Sequence, residues 1–161
     1  MHPTLRTALA SALLGAAALA ALDPRAPMDD STLELGNFSV SLTVKDIAAS
    51  RAFYEKLGFR QVGGVQEQNW LVLQNGSTKV GLFQGMFDRN MLTFNPGWDS
   101  NGKPLESFTD VREIQARLDA AGIELTTRTD PDGTDIGHIA MLDPDGNPVL
   151  IDQHVPRPKA R

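Results

Sequence analysis

The side chains that could move a proton or bind a metal are few in this sequence. Of three histidines, His2 lies close to the N-terminus, which leaves His138 and His154. Asp152 and His154 are two residues apart in a strand-like segment, so they share one face and form a candidate acid/base or metal-binding pair. The alternative is a solvated carboxylate and imidazole where the last strand ends. His138 is interpreted as a hydrogen-bonded wall residue rather than a catalyst.

Other signatures of catalysis are missing from the sequence. It contains no cysteine, which excludes disulfides, thiolate metal ligands and a cysteine nucleophile. No serine lies in a nucleophile elbow, and no glycine-rich phosphate loop occurs. The aspartate-rich runs 130–135 and 143–147 lack the carboxylate spacing and distal glutamate of a calcium loop, so we interpret both as turns.

Composition and charge exclude two further classes of partner. Fifteen basic and twenty acidic residues give a formal net charge of −5, with both signs scattered along the chain. Without a basic stripe, binding to a nucleic-acid backbone is not expected. Hydrophobic residues make up 41% and charged residues 22% of the sequence, a balance that is typical of one globular domain rather than of disorder or a membrane-embedded body.

The N-terminus resembles a signal peptide. An uncharged Ala/Leu-rich run from Ala8 to Leu22 follows Arg6, and Ala18–Ala20 offers a small-x-small cleavage site. Cleavage would place the protein in the periplasm or outside a bacterial cell, with no membrane contact after processing; otherwise it would be cytoplasmic. An alanine-rich helix or a misplaced start codon is the alternative. We assign residues 1–22 to a signal peptide or leader and 23–35 to a linker.

The first half of the remaining chain predicts one strand, one helix and three more strands. Polar and apolar residues alternate from Phe38 to Val44, as in a strand buried on one side. Asp46 can cap a short amphipathic helix that Gly58 ends. Trp70 and Tyr54 follow the periodicity of their elements and are predicted to be core residues. The three later strands are predicted at 60–64, 70–73 and 79–84, the last two joined by the hairpin turn Asn75-Gly76.

The second half repeats this order. The pattern predicts a strand at 91–95, a helix from about Phe108 to Ala121, and strands at 123–127, 136–142 and 148–153. Charged residues of the helix are interpreted as its solvated face: Arg112, Glu113, Arg117 and Asp119. Two βαβββ units in tandem predict one α+β domain with internal pseudo-symmetry. The predicted domain spans 36–155, with modules at 37–85 and 90–155 and a tail at 156–161.

Several short motifs carry a family resemblance. The stretch Leu42–Asp46 leads into Arg51–Tyr54 and then Leu57–Phe59, and Asp143–Asn147 follows late in the chain. Together they resemble the vicinal oxygen chelate superfamily, which includes glyoxalase I, extradiol dioxygenases, fosfomycin-resistance enzymes and bleomycin-binding proteins. The resemblance covers about Phe38 to His154. It implies a single bowl-shaped mixed sheet, to which each βαβββ module contributes half, with a ligand or metal inside the bowl.

The resemblance also implies four metal-ligand positions, one on the first and one on the last strand of each module. Ser39, Gly81, Met91 and Leu150 occupy them in this sequence. Glycine and leucine have no side-chain donor, and a thioether is too soft for the hard or borderline divalent ions that such folds bind. We therefore expect no metal and no cofactor. Alternation places all four residues opposite apolar neighbours, so they should face the bowl.

A mixed apolar and hydroxyl pocket is predicted inside the bowl. Trp98, in the loop after the fifth strand, either covers the mouth of this pocket or packs against the domain. The other residues expected to line the pocket are Ser39, Ser41, Thr43, Gly81, Phe83, Met91, Thr93, Asn95, Leu150 and Asp152.

Three hypotheses about function follow. In the first, the protein is not an enzyme and binds a small, partly aromatic or amphipathic organic molecule without a metal, as bleomycin-sequestering members of the family do. In the second, it is a lactoylglutathione lyase-like or dioxygenase-like enzyme whose metal ligands have moved to Asp152, His154 or His138. In the third, it is a pseudoenzyme whose filled bowl only mediates association. A homodimer is compatible with each, since relatives commonly dimerise.

Overall fold

A computed structural model describes residues 33–158. The predicted signal peptide and most of the predicted linker lie outside the described residues. The strands are β1 (Asn37–Val44), β2 (Arg60–Val65), β3 (Trp70–Asn75), β4 (Thr78–Gln84), β5 (Met91–Asn95), β6 (Leu125–Thr127), β7 (Gly137–Leu142) and β8 (Pro148–Gln153). The helices are α1 (Ile47–Lys56) and α2 (Val111–Ala120), with a 3-10 turn at Gln66–Gln68.

The eight strands form one mixed sheet in the order β2-β3-β4-β1-β5-β8-β7-β6. At its centre the first strands of the two modules, β1 and β5, pair antiparallel. Each of them pairs in parallel with the last strand of its own module, β1 with β4 and β5 with β8. The predicted architecture, an α+β domain of two βαβββ modules, is confirmed.

Local capping chemistry sets where each helix begins. The Asp46 carboxylate accepts a hydrogen bond of 2.9 Å from the Ala49 N–H, which satisfies a donor of the first turn of α1. Asp110 does the same for α2 and accepts from the Arg112 N–H at 2.9 Å. The predicted start of α2 near Phe108 is therefore wrong, because the chain is still extended at Asp110. Within residues 33–158, neither helix is long and apolar enough to cross a membrane.

Both helices pack on one face of the sheet. Ile47 of α1 is buried against residues of β3 and β4, namely Leu71, Leu73, Val80 and Leu82. Val111 and Ile114 of α2 are buried against residues of β7 and β8, namely Ile139, Met141 and Ile151. Leu33 and Leu35, from the end of the predicted linker, pack against this second cluster. Side chains alternate along a strand, so the residues between these core positions point to the opposite face.

A glutamine at the end of each module connects the last strand to the start of its helix by a hydrogen bond. The Gln84 Oε1 accepts from the Ile47 N–H at 2.8 Å, at the start of α1. The Gln153 Oε1 accepts from the Val111 N–H at 2.7 Å, at the start of α2. Gln153 has no solvent exposure and also donates to the Asp110 carboxylate at 3.0 Å. The two glutamines occupy equivalent positions in the internal repeat, so they show which residues of β4 and β8 correspond to each other.

Arg112 does not belong to the solvated face of α2, as the sequence predicted. Its side chain is 4% exposed and forms an ion pair of 3.4 Å with the equally buried Asp110. The guanidinium also donates to the backbone carbonyls of Asp130, Asp135 and Ile136 at 3.0, 2.9 and 3.3 Å. A planar group with five donors can hold several carbonyls of one loop, and this arginine fastens the loop before β7 to the helix.

Candidate functional site

A single large cavity occupies the face of the sheet that the helices leave uncovered. Its volume is about 710 Å³, and each of the eight strands contributes at least one residue to its wall. The loop after β5 adds Trp98, Asn101 and Gly102, and the segment after β8 adds His154. The accessible surface of the wall is mostly apolar and is interrupted by polar side chains, which is the usual character of a site for a small organic molecule.

Most of the residues that the sequence predicted for the bowl line this one cavity. They are Ser39, Ser41, Gly81, Phe83, Met91, Thr93, Asn95, Trp98, Leu150 and Asp152. Thr43 is the exception, because its hydroxyl donates to the Phe87 carbonyl at 2.9 Å near the end of β1 and it does not reach the cavity. That any of these residues binds a ligand stays a prediction.

Two hydrogen bonds fix polar groups of the central strands. The hydroxyls of Ser41 and Thr93 lie 2.8 Å apart, across the β1–β5 pair. The Asn95 side-chain amide donates to the Asp152 carbonyl at 3.0 Å, which joins β5 to β8. Ser41, Thr93 and Asn95 are all buried at 5–6% exposure. These contacts hold the polar part of the cavity wall in one arrangement before any ligand arrives.

Asp152, His154 and Trp98 form the mouth of the cavity. The His154 Nε2 lies 3.1 Å from an Asp152 carboxylate oxygen, and its ring stacks on Trp98 with centroids 4.7 Å apart and planes 18° from parallel. The hydrogen bond from the imidazole to Asp152 raises the pKa of His154, and burial of the ring opposes this shift. The pair can donate a hydrogen bond or exchange a proton with a molecule at the mouth.

His138 and Trp70 also line the cavity. His138 of β7 lies opposite Asp152 of β8 in the antiparallel register and is exposed at the rim. Trp70 was predicted to be a core residue, and this prediction is wrong. Leu71 and Leu73 of the same strand face the helices, so Trp70 faces the cavity. The strand pattern around it contains apolar residues on both faces, so alternation alone could not orient it.

Sequence reasoning missed Lys79, the most unusual residue of the site. It lies on β4, shares the inward parity of Gly81 and Phe83, and is only 7% exposed. Desolvation by burial lowers the pKa of Lys79, and the negative charge of Asp99 partly offsets this effect. A lysine at an inward position of a predicted strand was the signal that could have revealed it, because such lysines are normally exposed.

Gly81 allows an aromatic ring to lie across the floor of the cavity. A Cβ atom added at Gly81 would lie 2.5 Å from the Cε2 atom of Phe83, closer than two carbons can approach. The Phe83 ring therefore uses the space that a larger side chain at residue 81 would need. The Phe83 ring also contacts the ring of Phe87, with a centroid distance of 5.1 Å.

The family follows from comparison with known sequences. The sequence profile of the Glyoxalase/Bleomycin resistance protein/Dioxygenase superfamily matches residues 38–151. The chain belongs to this superfamily. A search of curated proteins found no match.

Solved structures with the superfamily fold are similar in backbone and distant in sequence. A Legionella pneumophila protein described as an NAD-dependent benzaldehyde dehydrogenase is 18% identical, with a TM-score of 0.54, over 73% of this chain and 98% of that one. A superfamily member from Vibrio splendidus 12B01 is 16% identical, with a TM-score of 0.50, over 72% and 97%. A catechol 2,3-dioxygenase is 20% identical, with a TM-score of 0.51, over 78% and 43%. At these identities the likeness establishes the fold alone.

The strand register shows that the four positions which the resemblance assigned to metal ligands are related by the internal repeat. Because Gln84 and Gln153 are equivalent, Gly81 on β4 corresponds to Leu150 on β8. The parallel pairs Val40–Val80 and Leu92–Val149 then make Ser39 on β1 correspond to Met91 on β5. These four inward residues are the ones that the resemblance assigned, and all four line the cavity.

The residues at these positions do not fit the divalent ion of the superfamily's metal enzymes. They offer one neutral hydroxyl and one thioether, and two of the four positions have no donor at all. Relocated ligands do not form an alternative set. Within residues 33–158, no group of three histidine, aspartate or glutamate side chains is arranged to hold a metal ion.

Proposed function

We propose that this chain binds a small organic molecule inside its bowl without a metal ion. The observation that carries the proposal is the cavity of about 710 Å³ with walls from all eight strands. Sites that enclose drug-sized molecules have volumes of roughly 300–1,000 Å³. The pseudoenzyme hypothesis expected side chains to fill this space, and that expectation is wrong.

The cavity wall favours a ligand that is at least partly aromatic. Trp70, Phe83 and Trp98 line the cavity from three different segments, and Met91 also lines it. Aromatic rings bury large apolar surfaces and prefer offset or edge-on contact with other rings. A methionine adapts its shape to an irregular ligand because it is unbranched and flexible. Enclosure of this kind would sequester a molecule, as the bleomycin-binding members of the superfamily do.

The same site gives little support to a lyase or dioxygenase activity. A glyoxalase-type reaction needs a metal to hold the two oxygens of its enediolate and a base beside it. The described residues offer no group of three donors for such a metal. Asp152 and His154 could still transfer a proton at the mouth, but their 3.1 Å hydrogen bond already occupies one imidazole nitrogen. Binding of a small molecule without a metal therefore explains the residues of the cavity better than a metal-dependent lyase or dioxygenase reaction does.

The test uses a fluorescent probe and a variant that fills the cavity. Both tryptophans of the chain line the cavity, so a bound fluorophore should receive energy from them. N-phenylnaphthylamine is uncharged, aromatic and fluorescent in apolar surroundings. Ala140 of β7 lines the cavity, and Ala140→Phe would place a ring inside it. Ala116→Phe, at an exposed position of α2, is the matched control.

We expect the wild type and Ala116→Phe to bind the probe equally, and Ala140→Phe to bind it at least about tenfold more weakly. Native mass spectrometry of the purified protein should in addition detect any retained small molecule. Equal binding by all three proteins, or no binding by the wild type, would refute the proposal. Loss of binding after treatment with EDTA would instead support the enzyme with relocated metal ligands.

A further inference from the structure

The ammonium group of Lys79 lies inside an apolar cavity. Lys79 is 7% exposed, and its neighbours in the wall include Gly81 on its own strand and Gly102 in the loop after β5. A Cβ atom added at Gly102 would lie 3.5 Å from the Lys79 Nζ. The loop therefore lies close to the end of the lysine side chain, whose Nζ keeps contact with the solvent of the cavity. A buried charge is costly unless it is paired or hydrogen-bonded.

No side chain in residues 33–158 neutralises this charge by direct contact. The ion pairs of the described residues do not include Lys79, and no hydrogen bond from its Nζ is formed within that range. Asp99 acts on it only at longer range. One oxygen of that carboxylate already accepts from the N–H groups of Asn101 and Lys103, both at 2.8 Å. This oxygen of Asp99 is thus hydrogen-bonded within its own loop.

Two further polar groups with unused hydrogen-bonding capacity lie beside Lys79. Ser39 on β1 is its neighbour across the parallel pair, because Val40 is in register with Val80. Asn37 lies two residues before Ser39 on the same inward face, and both line the cavity at 8–9% exposure. Within the described part of the chain, neither side chain forms a hydrogen bond. This part of the cavity wall therefore offers hydrogen-bond donors that no described residue uses, from Lys79, Ser39 and Asn37.

The other carboxylate at the cavity does not pair directly with Lys79. Asp152 is hydrogen-bonded to His154, and the same contact raises the pKa of that imidazole. The Asp152 carboxylate is thus engaged by His154, 3.1 Å away, and makes no direct contact with Lys79. An anionic group with two or more acceptor oxygens has the complementary charge and the complementary hydrogen-bonding pattern.

We propose that the molecule held in the bowl is an organic acid whose carboxylate or sulfonate group forms an ion pair with Lys79 and accepts hydrogen bonds from Ser39 and Asn37. This inference rests on the proposed function, since it specifies the chemical class of the ligand of that site. The apolar remainder of the acid lies along the rings of Trp70 and Phe83. Binding would pair a partly desolvated charge that has no partner in direct contact, so the anionic group determines specificity.

The test compares two probes of nearly the same shape. Anilinonaphthalene sulfonate is an anion, and N-phenylnaphthylamine has the same aromatic frame without the sulfonate. Both are titrated into the wild type, Lys79→Met and Lys56→Met. Methionine matches the lysine stem and is compatible with a buried position, whereas Lys56 is exposed at the end of α1 and is the control.

For the anion, we expect Lys79→Met to bind about 10- to 100-fold more weakly than the wild type, as for the loss of a hydrogen-bonded charge pair. The neutral probe should bind Lys79→Met at least as tightly as the wild type, which also shows that the variant is folded. Lys56→Met should match the wild type for both probes. If the neutral probe binds and the anion binds both proteins equally, the inference is wrong and the proposed function survives. If neither probe binds the wild type, the proposed function fails.

Discussion

Removing the guanidinium of Arg112 should test how the second module is held together. In Arg112→Met, the buried Asp110 carboxylate loses the nearer of its two ion-pair partners, at 3.4 Å, and keeps Arg157 at 3.9 Å. Three carbonyls, of residues 130, 135 and 136, lose a charged donor at the same time. Methionine fills most of the stem volume, so the main loss is electrostatic rather than a cavity.

The expected cost follows from the burial of both partners. Their side chains are 4% and 5% exposed, and removal of one member of a buried pair costs about 3–5 kcal/mol when the other charge is left without compensation. Gln153 at 3.0 Å and Arg157 at 3.9 Å still contact the Asp110 carboxylate, so we expect the loss at the lower end of this range. The carbonyls of the loop can turn toward water, so they should add little to this range. For a domain of this size, the loss corresponds to a melting temperature roughly 10–20 °C lower.

Urea denaturation followed by circular dichroism measures this difference in the free energy of unfolding. Arg51→Met is the control, because Arg51 pairs with Glu55 at 2.8 Å on the surface of α1, with side chains 37% and 44% exposed. Such surface pairs contribute about 0–1 kcal/mol. A loss in Arg112→Met no larger than that in Arg51→Met would refute the assignment of a buried structural role to Arg112.

Two other predictions concern the cavity. NMR titration should give His154 a pKa above its ordinary 6.5, and Asp152→Asn should lower it. Because the pKa of His154 is raised in the folded state, the stability that this pair contributes is complete below pH 6.5 and is lost as the pH rises through the raised pKa. If Asp152→Asn lowers the free energy of unfolding by the same amount at acidic and at alkaline pH, this prediction is wrong. Replacing Ser39 and Met91 by histidine and Leu150 by glutamate should create a site for Co²⁺, visible by its absorption, whereas the wild type should give no such spectrum. If the triple variant folds but does not bind Co²⁺, the side chains at residues 39, 91 and 150 do not point to a common site in the cavity.

The repeat and the inward positions could be predicted from the sequence because they depend on local patterns. A period of two assigns each strand residue to one face whatever the partner strand is, and so Ser39, Gly81, Met91 and Leu150 were correctly predicted to face one bowl. Turns and caps are equally local. Asp143, for example, accepts hydrogen bonds from the N–H groups of Asp145 and Asn147, as the turn interpretation of its aspartate-rich run expected.

Contacts between distant segments were decided only by the tertiary structure. Arg112 has the periodicity of a surface residue, and only the arrival of the loop at residues 130–136 makes it buried. Lys79 is largely buried in the cavity wall, with the loop carrying Gly102 close to its Nζ. The stacking of His154 on Trp98 joins segments more than fifty residues apart in the sequence. A one-dimensional pattern records which face a side chain takes, whereas its burial and charge environment depend on what the rest of the chain brings to that face.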